Sequence, residues 1–286
     1  MSFVVPDQFP VEKEDVVLTF DNQTYIQFHR KKECYKRPVE LKQHLVMVIL
    51  KGAKVMISTE QTITVGKYEL LFLEKGAYLT SEKILEEGEF SSLLFFIPAD
   101  FLAQFKTKHA AHLSKATGPA NSDKMFKVPQ SNHLEGYINS LLPYFESSQQ
   151  IAQPLLQLKI EELLLSLLFA DPKKQFSHYL AHLGQRTTAP FREIVEQSIY
   201  QNLTIAERAF LCNLSESSFK RKFKEIFHDS PAHWLRMERL KRARMLIQTT
   251  DKSVGEIAFE VGFESTSHFI HIFKKQYGST PKQMSA

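Results

Sequence analysis

One pattern near the end of the chain leaves few folds open, because it occurs twice. In residues 253–281, SVGEIAFEVGFESTSHFIHIFKKQYGSTP, Ser253 stands three residues before Glu256, the spacing of a capping box. Val254, Ile257, Ala258 and Val261 fall at i, i+3, i+4 and i+7, so a short helix there has one apolar face. Gly262 supplies the left-handed backbone that a sharp turn needs. Ser265 then caps a second helix, with Phe269 and Phe273 on its inner face. The same plan lies upstream. Thr204 and Glu207 form the box, Ile205, Ala209 and Cys212 the apolar face, and Asn213 takes the turn, which asparagine tolerates next best after glycine. Ser215 caps the following helix, whose inner face is Phe219 and Phe223. The offset is 49 residues from Thr204 to Ser253 and from Asn213 to Gly262, and 50 from Phe219 to Phe269, Phe223 to Phe273 and Pro231 to Pro281. The second copy therefore has one extra turn residue. Two short helices crossing at a tight turn make a helix-turn-helix, and two are expected here.

Between the copies runs PAHWLRMERLKRARMLIQTT. Trp234, Leu235, Leu240, Ala243, Leu246 and Ile247 give it an inner face, so it reads as a connecting helix. Its Arg236, Arg239, Lys241, Arg242 and Arg244 are either a solvated face or, for one or two of them, partners of phosphate. Charge is uneven along the chain. Residues 184–286 hold 16 Lys+Arg against 11 Asp+Glu, and the remainder holds 20 against 21. A basic C-terminal third suggests a polyanion as its partner.

Upstream the periodicity is different. LVMVIL (45–50), KVMIS (54–58), TITV (62–65), YELLFLE (68–74) and SLLFFIP (92–98) are rich in branched and aromatic residues and are separated by turn signals. They predict an antiparallel sandwich or small barrel over about 16–100. From 131 the period becomes helical. Leu134, Ile138, Leu141, Leu142 and Phe145 form one stripe, and a second helix follows over 151–170. That helix carries Leu156, Ile160, Leu163, Leu164 and Leu167 on one side and Leu158, Leu165 and Phe169 off it. A helix apolar on two sides is buried on two sides, either in a core or against a core and a second copy of the chain. Residues 171–189, ending in GQRTTAP, read as a linker. The expected class is therefore α+β multidomain. A first domain spans 1–170, with a barrel and then helices, and an all-α domain spans 190–286.

No run of 18 apolar residues is present, and the N-terminus has no basic stretch before an apolar core, so neither a membrane span nor a signal peptide is expected. Two distant cysteines, Cys34 and Cys212, argue against a disulfide framework and fit a reducing cytoplasm. His268 and His271 are spaced i, i+3, but no third metal ligand is evident, and no cofactor is expected.

The C-terminal stretch, above all IAFEVGFESTSHFIHIFKKQYGSTP, resembles the signature of the AraC family of bacterial transcription regulators. The resemblance covers about residues 190–286. It implies a seven-helix domain whose two recognition helices enter successive major-groove segments about 34 Å apart. By that pattern Ser217, Lys220 and Arg221 read base edges, with Lys224 beside them, and Thr266, Ser267, His268, Ile270 and His271 are the matching positions of the second helix. Arg221 has the fork for guanine, and Ile270 suits a thymine methyl. Three positions depart from the family pattern: Arg208 where an apolar residue is usual, His228 for a glycine, and His271 for a frequent arginine.

KYELLFLEKGAYLT, LLFFIPADFLAQF and LKIEELLLSLLFA look like the cupin-like N-terminal domain of the family's ExsA-type branch, activators of type III secretion genes. That resemblance implies an activator that contacts RNA polymerase, forms a homodimer and answers to a protein partner. It also places Leu156, Ile160, Leu163, Leu164 and Leu167 in or near the dimer helix. Two alternatives stand beside this reading. A small apolar effector such as a fatty acid would sit among Phe72, Phe95 and Phe96, with Lys51 or Lys54 at its carboxylate. An enzyme of the methyl-accepting type would use Cys34, whose basic neighbours in KKECYKR lower its pKa if they are close in space, and one of the cupin type would need metal-binding histidines, whereas His29 and His44 read as ordinary polar residues; no enzyme is expected.

Overall fold

A computed structural model of the 286-residue chain describes residues 3–20, 23–85, 88–113, 124–146, 153–184 and 190–284. They fall into two compact units, one made by residues 1–58 and 62–188, the other by 59–61 and 189–286.

The first unit is built on two facing sheets. One has the order β1 (Phe3–Val5), β4 (Cys34–Leu41), β9 (Gly76–Lys83), β6 (Ala53–Ile57), β7 (Thr62–Val65). The other has the order β11 (Met125–Val128), β8 (Leu70–Leu73), β5 (His44–Lys51), β10 (Phe90–Ile97), β3 (Gln23–Arg30), β2 (Val16–Phe20). The neighbouring strands are antiparallel except β1 with β4. The second sheet explains its own sequence. LVMVIL and SLLFFI are unbroken apolar runs because both faces of this sheet are covered. Leu45, Met47, Ile49, Leu71, Leu73, Leu94 and Phe96 point toward the first sheet. Val46, Val48, Leu70, Phe72, Leu93 and Phe95 point the other way, into a layer of helices. Alternation persists as geometry while it vanishes as polarity.

That layer consists of α1 (Ala99–Lys108), α2 (Asn132–Glu146), α3 (Gln153–Ala170) and α4 (Gln175–Ala181). Helix α4 lies in the stretch that the sequence suggested was linker. Asp171 accepts from the Lys173 and Phe176 amides at 3.0 Å and starts the helix. Phe176, Tyr179 and Leu180 are then fully buried beside Phe72 and Phe105. Each such side chain contributes roughly 1.5–3 kcal/mol of burial. Lys106 donates to the Ala181 and Leu183 carbonyls at 3.1 and 3.3 Å and closes the far end. Residues 171–183 thus belong to the first unit's core, and the linker expected over 171–189 does not begin at 171.

The second unit is helical: α5 (Phe191–Gln197), α6 (Ile205–Leu211), α7 (Glu216–Phe227), α8 (Pro231–Thr249), α9 (Val254–Glu260), α10 (Thr266–Tyr277) and α11 (Pro281–Met284). Both capping boxes form, with the Glu207 and Glu256 amides donating to Thr204 Oγ1 and Ser253 Oγ. Asn213 and Gly262 take the left-handed turn positions at φ 55° and 88°. His228 does the same after α7 at φ 56°, so the histidine adopts the backbone that a glycine would take more cheaply.

Candidate nucleic-acid interface

Helix α7 is oriented by its aromatics. Phe219 and Phe223 are wholly buried, their rings 5.8 Å apart, and Phe191 and Trp234 pack against them at 5.3 and 5.7 Å. With those two inward, Ser217, Lys220, Arg221 and Lys224 are left exposed on the opposite side. Lys220 pairs with Glu216 one turn back, while Arg221 and Lys224 hold no ion pair within 4.0 Å among the described residues. Ser217 Oγ lies 3.1 Å from the N-cap hydroxyl of Ser215. This face presents two unpaired cations and a cluster of hydroxyls at a helix start, the equipment for phosphate oxygens and base edges.

Helix α10 is oriented in the same way by Phe269 and Phe273, both fully buried with ring centroids 5.5 Å apart. Ser267, His268 and His271 are exposed. Thr266 is half-buried beside Gly255. Ile270 is also half-buried and packs against the apolar cluster of the second motif, so part of its side chain is occupied within the fold. The second face is therefore narrower and less charged than the first.

The cations of α8 separate into different jobs. Lys241 pairs with Glu238 at 2.6 Å, and the Arg244 guanidinium lies over the Tyr277 ring at 5.2 Å. Arg239 is turned inward onto backbone carbonyls, and Arg236 is exposed. Arg208 is only 3% exposed. Its Nη1 donates to the Ser198 carbonyl and hydroxyl, both at 2.6 Å, and its Nη2 to the Gln201 carbonyl at 2.8 Å. Burial, then the neighbouring Arg239 charge, pull its pKa down to about 9, against the smaller opposing effects of Cys212 and Glu207. The apolar pattern of α6 gave no sign of this role; the departure at Arg208 was the only signal.

In the first unit the leucines expected in or near a dimer helix face inward. Leu156, Ile160, Leu163, Leu164 and Leu167 are at most 4% exposed and form the core face of α3. The free face carries Leu155, Leu158, Leu165 and Phe169, with Leu158 61% and Phe169 65% exposed. Leu158, Leu165 and Phe169 line a groove of about 510 Å³ with Lys108, His133 and Glu161. The stripe seen in sequence is real; which side faces out is decided by the sheet.

The other sequence candidates are occupied as well. Phe72 stacks with Phe126 at 5.0 Å and touches Phe176 and Tyr179. Phe72 and Phe95 face the helices and Phe96 faces the other sheet, so the three do not line one space. Lys54 is buried and paired with Glu82 at 2.9 Å, and Lys51 pairs with Glu89 at the surface. Cys34 donates to the Glu82 carboxylate, and burial followed by that carboxylate pushes its pKa up to about 11. The basic neighbours in the sequence do not activate it. Burial raises Cys212 to about 11 too.

Comparison with known proteins gives the same division of the chain. Residues 44–179 match the family profile described as the ExsA N-terminal regulatory domain, and residues 205–286 match the helix-turn-helix domain profile. The virulence regulon transcriptional activator VirF of Yersinia enterocolitica is 28% identical over 248 residues, 86% of this chain and 90% of that one. The thermoregulatory protein LcrF of Yersinia pestis is 29% identical with the same coverage. The HTH-type transcriptional regulator ExsA of Pseudomonas aeruginosa is 27% identical, covering 85% of this chain and 86% of its own. Both domains, in the same order, are thus shared with regulators of this one kind. Over both domains the chain is similar to regulators of the AraC family. It is a DNA-binding transcription regulator of promoter DNA and not an enzyme, with the two outward faces of α7 and α10 on its helix-turn-helix domain. Among the described residues no helix is long and apolar enough to cross a membrane.

Proposed function

We propose that this protein is a cytoplasmic activator that reads an asymmetric promoter site with α7 and α10, self-associates through the free face of α3, and recruits RNA polymerase from that position. One observation carries the reading of DNA: each recognition helix is fixed by two fully buried phenylalanines, which turns Ser217, Lys220, Arg221 and Lys224 on one and Ser267, His268 and His271 on the other to solvent. Helix α7 supplies more of the affinity, because it has the free cations. Thr266 and Ile270 contribute less, being half-buried.

The dimer reading rests on α3. Leu155, Leu158, Glu162, Leu165 and Phe169 recur at alternating steps of three and four, the seam of a two-helix pair. Lys159 and Glu162, paired within the chain at 2.8 Å, lie along that seam and suit an exchange of partners with a second copy. A protein regulator would compete for this face. No packing observation favours a fatty acid in the barrel, because the aromatics proposed to hold it are spent on one another.

In vitro selection from a random DNA library with the full chain, at fixed salt, tests the reading. Two short motifs about one helical turn apart are expected. Absence of any enriched sequence, with and without cell extract, would overturn it.

A further inference from the structure

The two helix-turn-helix motifs do not share a core. The first packs around Phe191, Val195, Ala209, Phe219 and Phe223. The second packs around Leu240, Ala243, Leu246, Ile257, Phe269 and Phe273. No residue is common to both clusters. Helix α8 runs through both, and beside it the motifs are separated by a cleft of about 340 Å³ whose walls come from each: Thr204 and Ile205 on one side, Gly262, Phe263 and His268 on the other. A single helix between two lobes leaves their relative rotation weakly fixed. Something else must hold it.

That something is polar. The turn Ser198–Asn202 follows α5, where a helix leaves carbonyl oxygens without partners. Arg208 of the first motif takes the Ser198 and Gln201 carbonyls at 2.6 and 2.8 Å. Arg239 of α8 reaches the same turn from the other side, donating to the Ile199 carbonyl at 2.8 Å and the Gln201 carbonyl at 2.7 Å. Its remaining nitrogen, Nη1, donates to the Gly262 carbonyl at 2.8 Å, in the turn of the second motif. Asn202 Nδ2 donates to Glu264 Oε1 at 2.7 Å, adding a second tie to that turn. The approach is close: a Cβ on Gly262 would lie 2.5 Å from the Tyr200 carbonyl oxygen. One backbone turn is thereby clamped by both motifs, through donors whose planar forks allow little rotation.

We propose that the Ser198–Asn202 turn, with Arg208, Arg239 and Asn202, is the gauge that sets the distance and rotation between the two recognition helices, and so selects the spacing between the two base-pair segments of the site. These are positioning residues: they hold the readers and touch no base. The proposal rests on the reading that α7 and α10 both enter the DNA.

The test uses the full chain and a set of duplexes in which the two selected segments stand at their preferred spacing or one base pair nearer or farther, plus a duplex keeping only the first segment. Wild type is expected to bind the preferred spacing about tenfold or more tighter than either neighbour, the scale of one wrong contact or more. Arg208→Met and the exposed Asn202→Ala should each cut that ratio about threefold or more, with affinity for the single-segment duplex within about twofold of wild type. Arg208→Lys should fall between them and wild type. Asn202→Ala keeps the test decisive if Arg208→Met does not fold, which a thermal melt reports. Unchanged spacing ratios in folded variants, or an equal loss on every duplex, would overturn the gauge alone. A wild type indifferent to the second segment would overturn the two-helix reading, and the gauge with it.

Discussion

Arg221 and Lys224 sit on one exposed face of α7, three residues apart, and they should behave differently. A guanidinium in a groove has the bidentate geometry for guanine, while an ammonium on the flank is a point charge. Arg221→Ala is expected to weaken specific binding by about 1–3 kcal/mol and relax preference at one base pair. Lys224→Ala is expected to weaken all sequences alike and reduce the salt slope of log K by about 1. Binding isotherms on the selected site and its single-base variants, at several salt concentrations, separate the two. The thiols make a second residue-scale case. With pKa near 11, Cys34 and Cys212 in the folded protein should react with iodoacetamide at pH 8 about a hundredfold more slowly than in urea, since only thiolate reacts. A fast native Cys34 would mean that Glu82 does not hold its proton. Sequence could not settle this residue. KKECYKR shows the cations beside Cys34 along the chain, but in a strand the groups that matter lie across the sheet, and Cys34 faces Glu82 there.

At the scale of elements, α3 gives the sharpest contrast. Leu163 is fully buried in the sheet-facing core and Leu158 is 61% exposed, although both are leucines on one apolar helix. Leu163→Ala should cost about 2–5 kcal/mol of stability in a urea melt. Leu158→Asp should leave the melt nearly unchanged and shift sedimentation from dimer to monomer. The opposite pattern would mean that the second copy docks elsewhere. The C-terminal elements were legible because their signals are local: Thr204 with Glu207, Ser253 with Glu256, and Asn213 and Gly262 each fix backbone within a few residues. The face of α3 was not, because its choice depends on Phe72, Phe95 and the rest of a sheet distant in sequence. Within the stretch read as β, strand β4 was not picked out for a related reason: KRPVE lies on a half-buried strand between β1 and β9, without the apolar run that revealed β5 and β10. The helix-length piece QFSHYLAHL was visible in sequence, but α4 was assigned to the linker because seven helical residues are too few to show which core they face.

At the scale of the whole molecule, charge and association divide between the units. The basic third of the chain supplies a DNA-binding term that salt weakens, and the α3 interface proposed above would supply a contact that raises the local concentration of a second copy. If these act independently, a change on α3 should alter occupancy of paired sites and nothing else. On DNA carrying one selected site, Leu158→Asp is expected to match wild type within about twofold. On DNA carrying two adjacent copies, wild type should fill both over a narrow concentration range, and the variant should fill each as if the other were absent. Footprinting titrations at one fixed salt concentration give both curves. Cooperative filling by a monomeric Leu158→Asp protein would place the coupling in the helical domain or in the DNA, and would remove α3 from the account of activation. Loss of single-site affinity in that variant would mean instead that the regulatory unit acts on the recognition helices themselves, because Leu158 belongs to the other unit and has no part in the faces of α7 and α10.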